Sequence, residues 1–277
     1  MKRKRRLKLV GRSAVYHCIS RTVGGQFLLD DEAKAVFRKQ MWQVADFCGL
    51  RILTYCLMSN HFHILVEVPD REKASVMDAE LLRRYRVLYP KPTEHQQASI
   101  EVLEEVLAAG GKPAEERRAG LLRRMHDVSE FMQTLKQRFS VWYNRSHERF
   151  GTVWAERFTS VLVEKSAPAV YTVGRYIDLN PVRAGLVEDP KEYRFCGYGE
   201  AQSGGKLAQA GILRVVSLFQ PKASQADALS IYEFGLFGDG MRGADGKKGK
   251  INREAALKVI RERGNLPAVD ALQTRVR

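Results

Sequence analysis

The chain has 277 residues, 44% of them hydrophobic and 28% charged, and its 46 Lys and Arg against 32 Asp and Glu leave a formal net charge of +14. Nine prolines, 22 glycines and 9% aromatics exclude a collagenous, low-complexity or wholly disordered chain, because this composition can bury enough apolar area to offset the entropy of ordering. No run approaches the roughly 18 to 20 apolar residues of a membrane span, and the basic start leads into Lys8 and Arg12 rather than a signal-peptide core, so a cytoplasmic protein with no membrane partner is expected.

The four cysteines, Cys18, Cys48, Cys56 and Cys196, show no CxxC pair and read as reduced thiols in or near the core. The positive charge points to an anionic partner, and nucleic acid exploits such charge best through counterion release.

In chain order, Lys2, Arg3, Lys4, Arg5, Arg6, Lys8 and Arg12 crowd the first dozen residues. This density reads as a basic arm over 1–12, either a grip on a phosphate backbone or a solubilising tail. Val15 to Val23 is a strand, Gly24-Gly25 a turn, and Asp31 to Cys48 a helix with Ala33, Val36, Phe37, Met41, Val44 and Ala45 at helical spacing. Arg51 to Met58 and His61 to Val68 form a hairpin around Ser59-Asn60. From about 71 to 127 the chain turns helical and charged, with Pro90, Pro92, Gly110, Gly111 and Pro113 as breaks, and reads as an insertion. Ser129 to Asn144 is a helix, Phe158 to Glu164 a strand, and Pro168 to Leu179 a helix that Pro181 closes at Asn180.

The order strand, helix, two strands, helix, strand, helix is that of a ferredoxin-like α+β fold, an antiparallel sheet with helices, occupying residues 13–204. Residues 205–277 read as an extension: a glycine-rich linker from Gly235 to Gly249, then a basic helix from Ile251 to Gly264, either a DNA-binding accessory or a solvated tail.

In His61-Phe62-His63-Ile64-Leu65-Val66-Glu67-Val68, the pleat puts Phe62, Ile64, Val66 and Val68 on one face, expected to be the core face, and His61, His63, Leu65 and Glu67 on the other. The two imidazoles stand about 7 Å apart at Cα, close enough to turn toward one divalent ion. An HxH of this kind is also found as a pair of ordinary half-exposed histidines. Further on, Val170, Val173 and Ile177 form a buried stripe, and Tyr176 and Asn180 stand one turn apart along its flank, about 40° from each other. A phenol nucleophile and a hard amide oxygen can thus face one site.

The strings Thr54-Tyr55-Cys56-Leu57-Met58-Ser59-Asn60-His61-Phe62-His63-Ile64-Leu65-Val66 and Arg175-Tyr176-Ile177-Asp178-Leu179-Asn180-Pro181-Val182-Arg183-Ala184-Gly185-Leu186-Val187 resemble the two signature blocks of single-tyrosine HUH transposases, and most of all the REP-associated tyrosine transposases. A third block, from Gln137-Arg138-Phe139 through Trp142-Tyr143-Asn144-Arg145 to Gly151, Trp154 and Arg157-Phe158, and a fourth, Glu188-Asp189-Pro190-Lys191-Glu192-Tyr193-Arg194-Phe195, resemble the segments that accompany them. The blocks cover roughly residues 12–200 apart from the insertion.

The resemblance implies the HUH endonuclease fold, His61 and His63 as metal ligands, Asn180 as the third ligand and Tyr176 as the nucleophile. Ser59 departs from the proline common in relatives, and Asn180 fits the REP-associated branch, whereas insertion-sequence relatives often carry glutamine. The implied chemistry is a transesterification on DNA with magnesium or manganese as cofactor. Tyr176 attacks the scissile phosphate, leaving a 5′-phosphotyrosine and a free 3′-hydroxyl, so joining needs no nucleotide energy source. A free phenol with pKa near 10 needs activation; Glu67 is a candidate base, with a solvated edge carboxylate as the alternative.

The expected partner is single-stranded or hairpin DNA, as a monomer or homodimer, with Arg138, Arg145, Arg157 and Arg183 on the backbone. Tyr143 and Trp154 are read as stacking platforms or, more plainly, as core. His17 reads as a structural histidine, and His95, His126 and His147 lack partner spacing. The competing reading is a structure-specific nucleic-acid-binding protein on the same fold that does not cut.

Overall fold

The computed structural model describes residues 9, 11–70 and 76–237. The arm cations Lys2, Arg3, Lys4, Arg5 and Arg6, and the linker and basic helix expected beyond residue 237, lie outside the described residues.

Strand β1 (Ala14–Arg21) is followed by α1 (Asp31–Cys48), β2 (Arg51–Leu57) and β3 (His61–Val68). Asp30 caps α1 by accepting from Ala33 N at 2.8 Å, and Gly49, at φ 65°, supplies the left-handed residue that ends it. Three helices make up the insertion: α2 (Asp78–Val87), α3 (Glu94–Ala109) and α4 (Gly111–Arg123). Then come α5 (Val128–Ser146), β4 (Thr159–Val163) and α6 (Ala167–Asp178). Pro181 falls at the start of a single further turn, α7 (Asn180–Arg183), so the chain bends at Leu179 instead of extending α6. The sheet is antiparallel throughout, in the order β2-β3-β1-β4, which with β1-α1-β2-β3-α5-β4 connectivity is the ferredoxin-like fold expected from the sequence.

One face of the sheet carries α1 and α5. Phe37 packs 4.7 Å from Phe62 and 5.1 Å from Phe139, ring centre to ring centre, and Trp154 completes the cluster. Leu81, Leu103, Leu107, Leu121 and Met125 of the insertion join this same core. The insertion is therefore packed onto the domain, not held apart from it.

The sequence reading placed the core on the Phe62 face alone, and the other face is covered as well. Leu65, on the His61 side of the pleat, is fully buried with Val15, Leu53, Val170 and Ile177 in a second core. Three helices beyond α7 complete that core: α8 (Gly197–Gln202), α9 (Lys206–Val216) and α10 (Gln225–Phe237). Packing thus continues past residue 204, where the sequence reading placed the start of the extension. Gly235, read as the first glycine of a linker, sits buried inside α10, where an added Cβ would overlap the Tyr171 hydroxyl. Burial on both faces explains why β3 is buried from Phe62 to Val68. The segment before α8 covers the outer edge of β2: Leu57 N donates to Phe195 O at 2.9 Å, and Tyr193 Oη donates to Leu57 O at 2.6 Å. No helix among the described residues is long and apolar enough to cross a membrane.

Candidate active site

The site lies where β3 begins, beside the β2–β3 turn. His61 is half-buried and faces Arg21 across the β1–β3 ladder; His63 is almost fully buried opposite Ile19. His61 Nδ1 lies 2.7 Å from Asn60 Oδ1, an acceptor only, so Nδ1 carries the proton and Nε2 keeps its lone pair. His17, two residues before Ile19 on the same face of β1, reaches diagonally to His63: its Nε2 is 2.9 Å from His63 Nδ1, so one ring donates to the other. This leaves His63 Nε2 outside the pair. The rings of His61 and His63 lie 5.2 Å apart, edge to face.

Helix α6 brings Tyr176 to these rings, 6.0 Å from His63 and 6.2 Å from His17. The exposed Arg183, seven residues or about two helical turns beyond, places its guanidinium carbon 4.8 Å from the centre of the Tyr176 ring. Asn180 donates Nδ2 to the carbonyls of Tyr176 (3.0 Å) and Ile177 (3.1 Å), which pins its amide to α6 and leaves Oδ1 uncommitted to those carbonyls.

Burial dominates the electrostatics. It lowers the pKa of His63 to about 2, helped by His17, His61, Arg183 and Arg21, and that of His17 to about 4. His61 is lowered by burial and then by Arg21. All three imidazoles are neutral at pH 7, the form that offers a lone pair. Among the described residues no group of three His, Cys, Asp or Glu is arranged to hold a metal ion. The ring nitrogens left outside the bonds to Asn60 and His17 are His61 Nε2 and His63 Nε2.

Other expected residues fall elsewhere. Glu67 is buried near the far end of β3, where Arg51 (2.7 Å), Arg214 (2.7 and 2.9 Å) and Lys165 (3.0 Å) surround it. Burial opposes its charge, yet the hydrogen bonds from Arg214 and Lys165 prevail and hold its pKa at about 2. Six residues along a strand is about 20 Å, so Glu67 is neither a solvated edge carboxylate nor a base for Tyr176. It lines an open cavity of about 580 Å³ with Arg12, Arg51 and Lys165, away from the histidines.

Arg138 is half-buried, donating to Leu88 O at 2.6 Å and lying over Tyr89, so it ties α5 to the insertion. Arg145 and Arg157 are exposed. Tyr143 and Trp154 are core residues, and Tyr143 stacks on His147 at 4.0 Å.

Sequence reasoning took His17 for a structural histidine without linking it to His63, and it did not single out Asp178. His17 was detectable as a polar residue two positions from the partner of His63 on a paired strand. Asp178 gave no local signal: it is fully buried, and burial raises its pKa to about 6 against hydrogen bonds from Tyr198 N, Tyr232 and Thr54.

Residues 12–86, from the approach to β1 through most of α2, match the family profile described as transposase IS200 like. The match includes His17, His61 and His63 and agrees with the family resemblance carried by the sequence motifs; Tyr176 and Asn180 lie beyond it. No curated protein matches the chain. Among solved structures the chain is similar to one described as "Structure of the REP associates tyrosine transposase bound to a REP hairpin", with 15% identity, a TM-score of 0.45, and coverage of 74% of this chain and 87% of that one.

Proposed function

We propose that the match of residues 12–86 to IS200-like transposases extends to the chemistry, and that the chain is a metal-dependent, single-strand DNA endonuclease and strand transferase with Tyr176 as nucleophile. The observation that carries this reading is the approach of a helix-borne phenol to 6.0 Å, ring centre to ring centre, from His63, whose ring in turn lies 5.2 Å from that of His61 on the same strand. That pair is neutral and oriented by Asn60 and His17, as metal-binding imidazoles are by their outer partners.

His61 Nε2, His63 Nε2 and Asn180 Oδ1 fit a divalent ion, magnesium or manganese, as a donor set with no charge of its own. A bound ion would polarise a non-bridging oxygen of the scissile phosphate and offset charge in the transition state. Because these three protein donors are neutral, an ion held by them would draw its negative ligand from the DNA phosphate.

Tyr176 Oη attacks the phosphorus and loses its proton. The bond to the 3′ oxygen breaks, that oxygen takes up a proton as the leaving hydroxyl, and the phosphate remains on Tyr176 through its 5′ side. The reverse reaction with another 3′-hydroxyl joins strands. Arg183, over the Tyr176 ring, stabilises negative charge developing on the phenolic oxygen and on the phosphate. Arg145, Arg157 and the arm cations Lys2, Arg3, Lys4, Arg5 and Arg6 contact the backbone. The exposed rings of Phe27 and Phe150, on loops hydrogen-bonded to the end of the sheet that bears His61, replace Tyr143 and Trp154 as stacking platforms for unpaired bases. The substrate is hairpin-forming repeat DNA and the compartment is the cytoplasm.

Incubation with an oligonucleotide carrying inverted repeats from the flanks of the gene, plus manganese, is expected to trap a covalent adduct. Tyr176→Phe abolishes the adduct and leaves binding intact. Binding by the unaltered protein without any adduct would favour the non-cutting reading, and an adduct that survives Tyr176→Phe would move the nucleophile elsewhere, with Tyr171 the next to test.

A further inference from the structure

Two residues beyond Tyr176, the fully buried Asp178 is gripped by three separate elements. Thr54 Oγ1 of β2 lies 2.9 and 2.8 Å from its two oxygens, Tyr198 N at the start of α8 donates at 3.0 Å, and Tyr232 Oη of α10 donates at 2.7 Å. Small residues permit this approach. An added Cβ at Gly174 would sit 2.9 Å from Tyr232 Oη, and one at Gly197 would overlap Thr54. Helix α10 makes two more bonds to α6: Tyr171 Oη donates to Ile231 O at 2.9 Å, and Arg175 donates to Gly235 O.

Tyr171, Arg175 and Asp178 follow the i, i+4, i+7 spacing of one helical stripe. At about 100° per residue, Tyr176 stands about 130° around α6 from the centre of that stripe, toward the opposite side. The rotation of the helix about its axis is thus set on one side and expressed on the other. A phenolic oxygen rides on the order of 8 Å from the helix axis, so a rotation of about 20° displaces it by about 3 Å, enough to forfeit an in-line approach that needs reacting atoms about 3 to 3.5 Å apart. Apolar packing alone tolerates such slippage, whereas a carboxylate bound by donors from β2, α8 and α10 is satisfied at one rotation.

We infer that Asp178 is a positioning residue for Tyr176, and that α10, acting through Tyr232, is the clamp that fixes the rotation of the nucleophile helix. This rests on the assignment of Tyr176 above.

The test measures adduct formation by the full chain at saturating hairpin oligonucleotide with manganese, alongside the dissociation constant for that DNA. Tyr232→Phe is expected to slow the adduct step about tenfold and Asp178→Asn about 100-fold, with DNA affinity within about twofold of the unaltered protein. Leu103→Ala, in α3 of the insertion, serves as a control for lost stability and keeps the unaltered rate when assayed below its Tm. Should Asp178→Asn fail to fold, Tyr232→Phe decides the matter. Unaltered rates in Tyr232→Phe and in folded Asp178→Asn, or an equal loss in Leu103→Ala at an equal drop in Tm, overturn the positioning role. An adduct that persists in Tyr176→Phe removes the nucleophile assignment instead, and the two failures are told apart by that variant.

Discussion

The two faces of the sheet are built on different terms. Against α1 and α5 the contacts around the sheet are aromatic and aliphatic, with Phe37 and Trp154 each in ring contact with both Phe62 and Phe139. Against α6 to α10 the core also encloses Asp178, Thr54 and Arg175, and its border carries His63 and Glu67. Buried polar groups cost free energy unless partnered, and partnering is directional. The first face therefore holds the shape of the domain, and the second holds side chains at stated positions.

This contrast has testable consequences of decreasing size. Phe37→Ala, on the apolar face, is expected to remove about 3 to 5 kcal/mol of stability, read from denaturant melts, because it empties the centre of the ring cluster. A loss below about 1 kcal/mol would break the division between the faces.

Glu67→Gln is expected to cost on the order of 3 kcal/mol near pH 7, the linkage value for a carboxyl held at about 2 against 4.5. The sign follows from the lowered pKa: this stability is fully present above about pH 4.5 and is lost as pH falls toward 2. Melts across that range should show a slope in the unaltered protein that Glu67→Gln flattens. An unchanged slope would mean that the Arg51, Lys165 and Arg214 pairs contribute nothing.

Arg183→Ala should leave stability within about 0.5 kcal/mol, as for an exposed side chain, and slow adduct formation about tenfold, or about 1.4 kcal/mol in the barrier. An equal effect on Tm and on rate would make it one more structural residue.

Much of the first face was legible because its signals are local. The helical spacing of Ala33, Phe37, Met41 and Val44 and the alternation in β3 are read within a single element, and they placed α1 and β3 at their observed limits. The pleat also put His61 and His63 on one side, and the resemblance brought Tyr176 to them. The second face was less legible because its signals are distant. Nothing near Asp178 indicates that Thr54, Tyr198 and Tyr232 will meet it, and a glycine that admits a tyrosine in α10 looks the same in sequence as one that begins a linker. Glu67 was misread for the same reason: what makes an edge carboxylate the centre of an ion cluster is the arrival of Lys165 and Arg214, the latter 147 positions away.

The placement of β1 has a consequence for synthesis. It lies between β3 and β4, so one of its edges stays unpaired until Thr159–Val163 has been translated. At roughly 5 to 20 residues per second, that interval is on the order of ten seconds. The intervening helices lengthen the loop, but closure entropy grows only logarithmically, by about 0.6 kcal/mol per doubling. What they chiefly add is waiting time, during which a nascent strand edge is open to other chains and to chaperones.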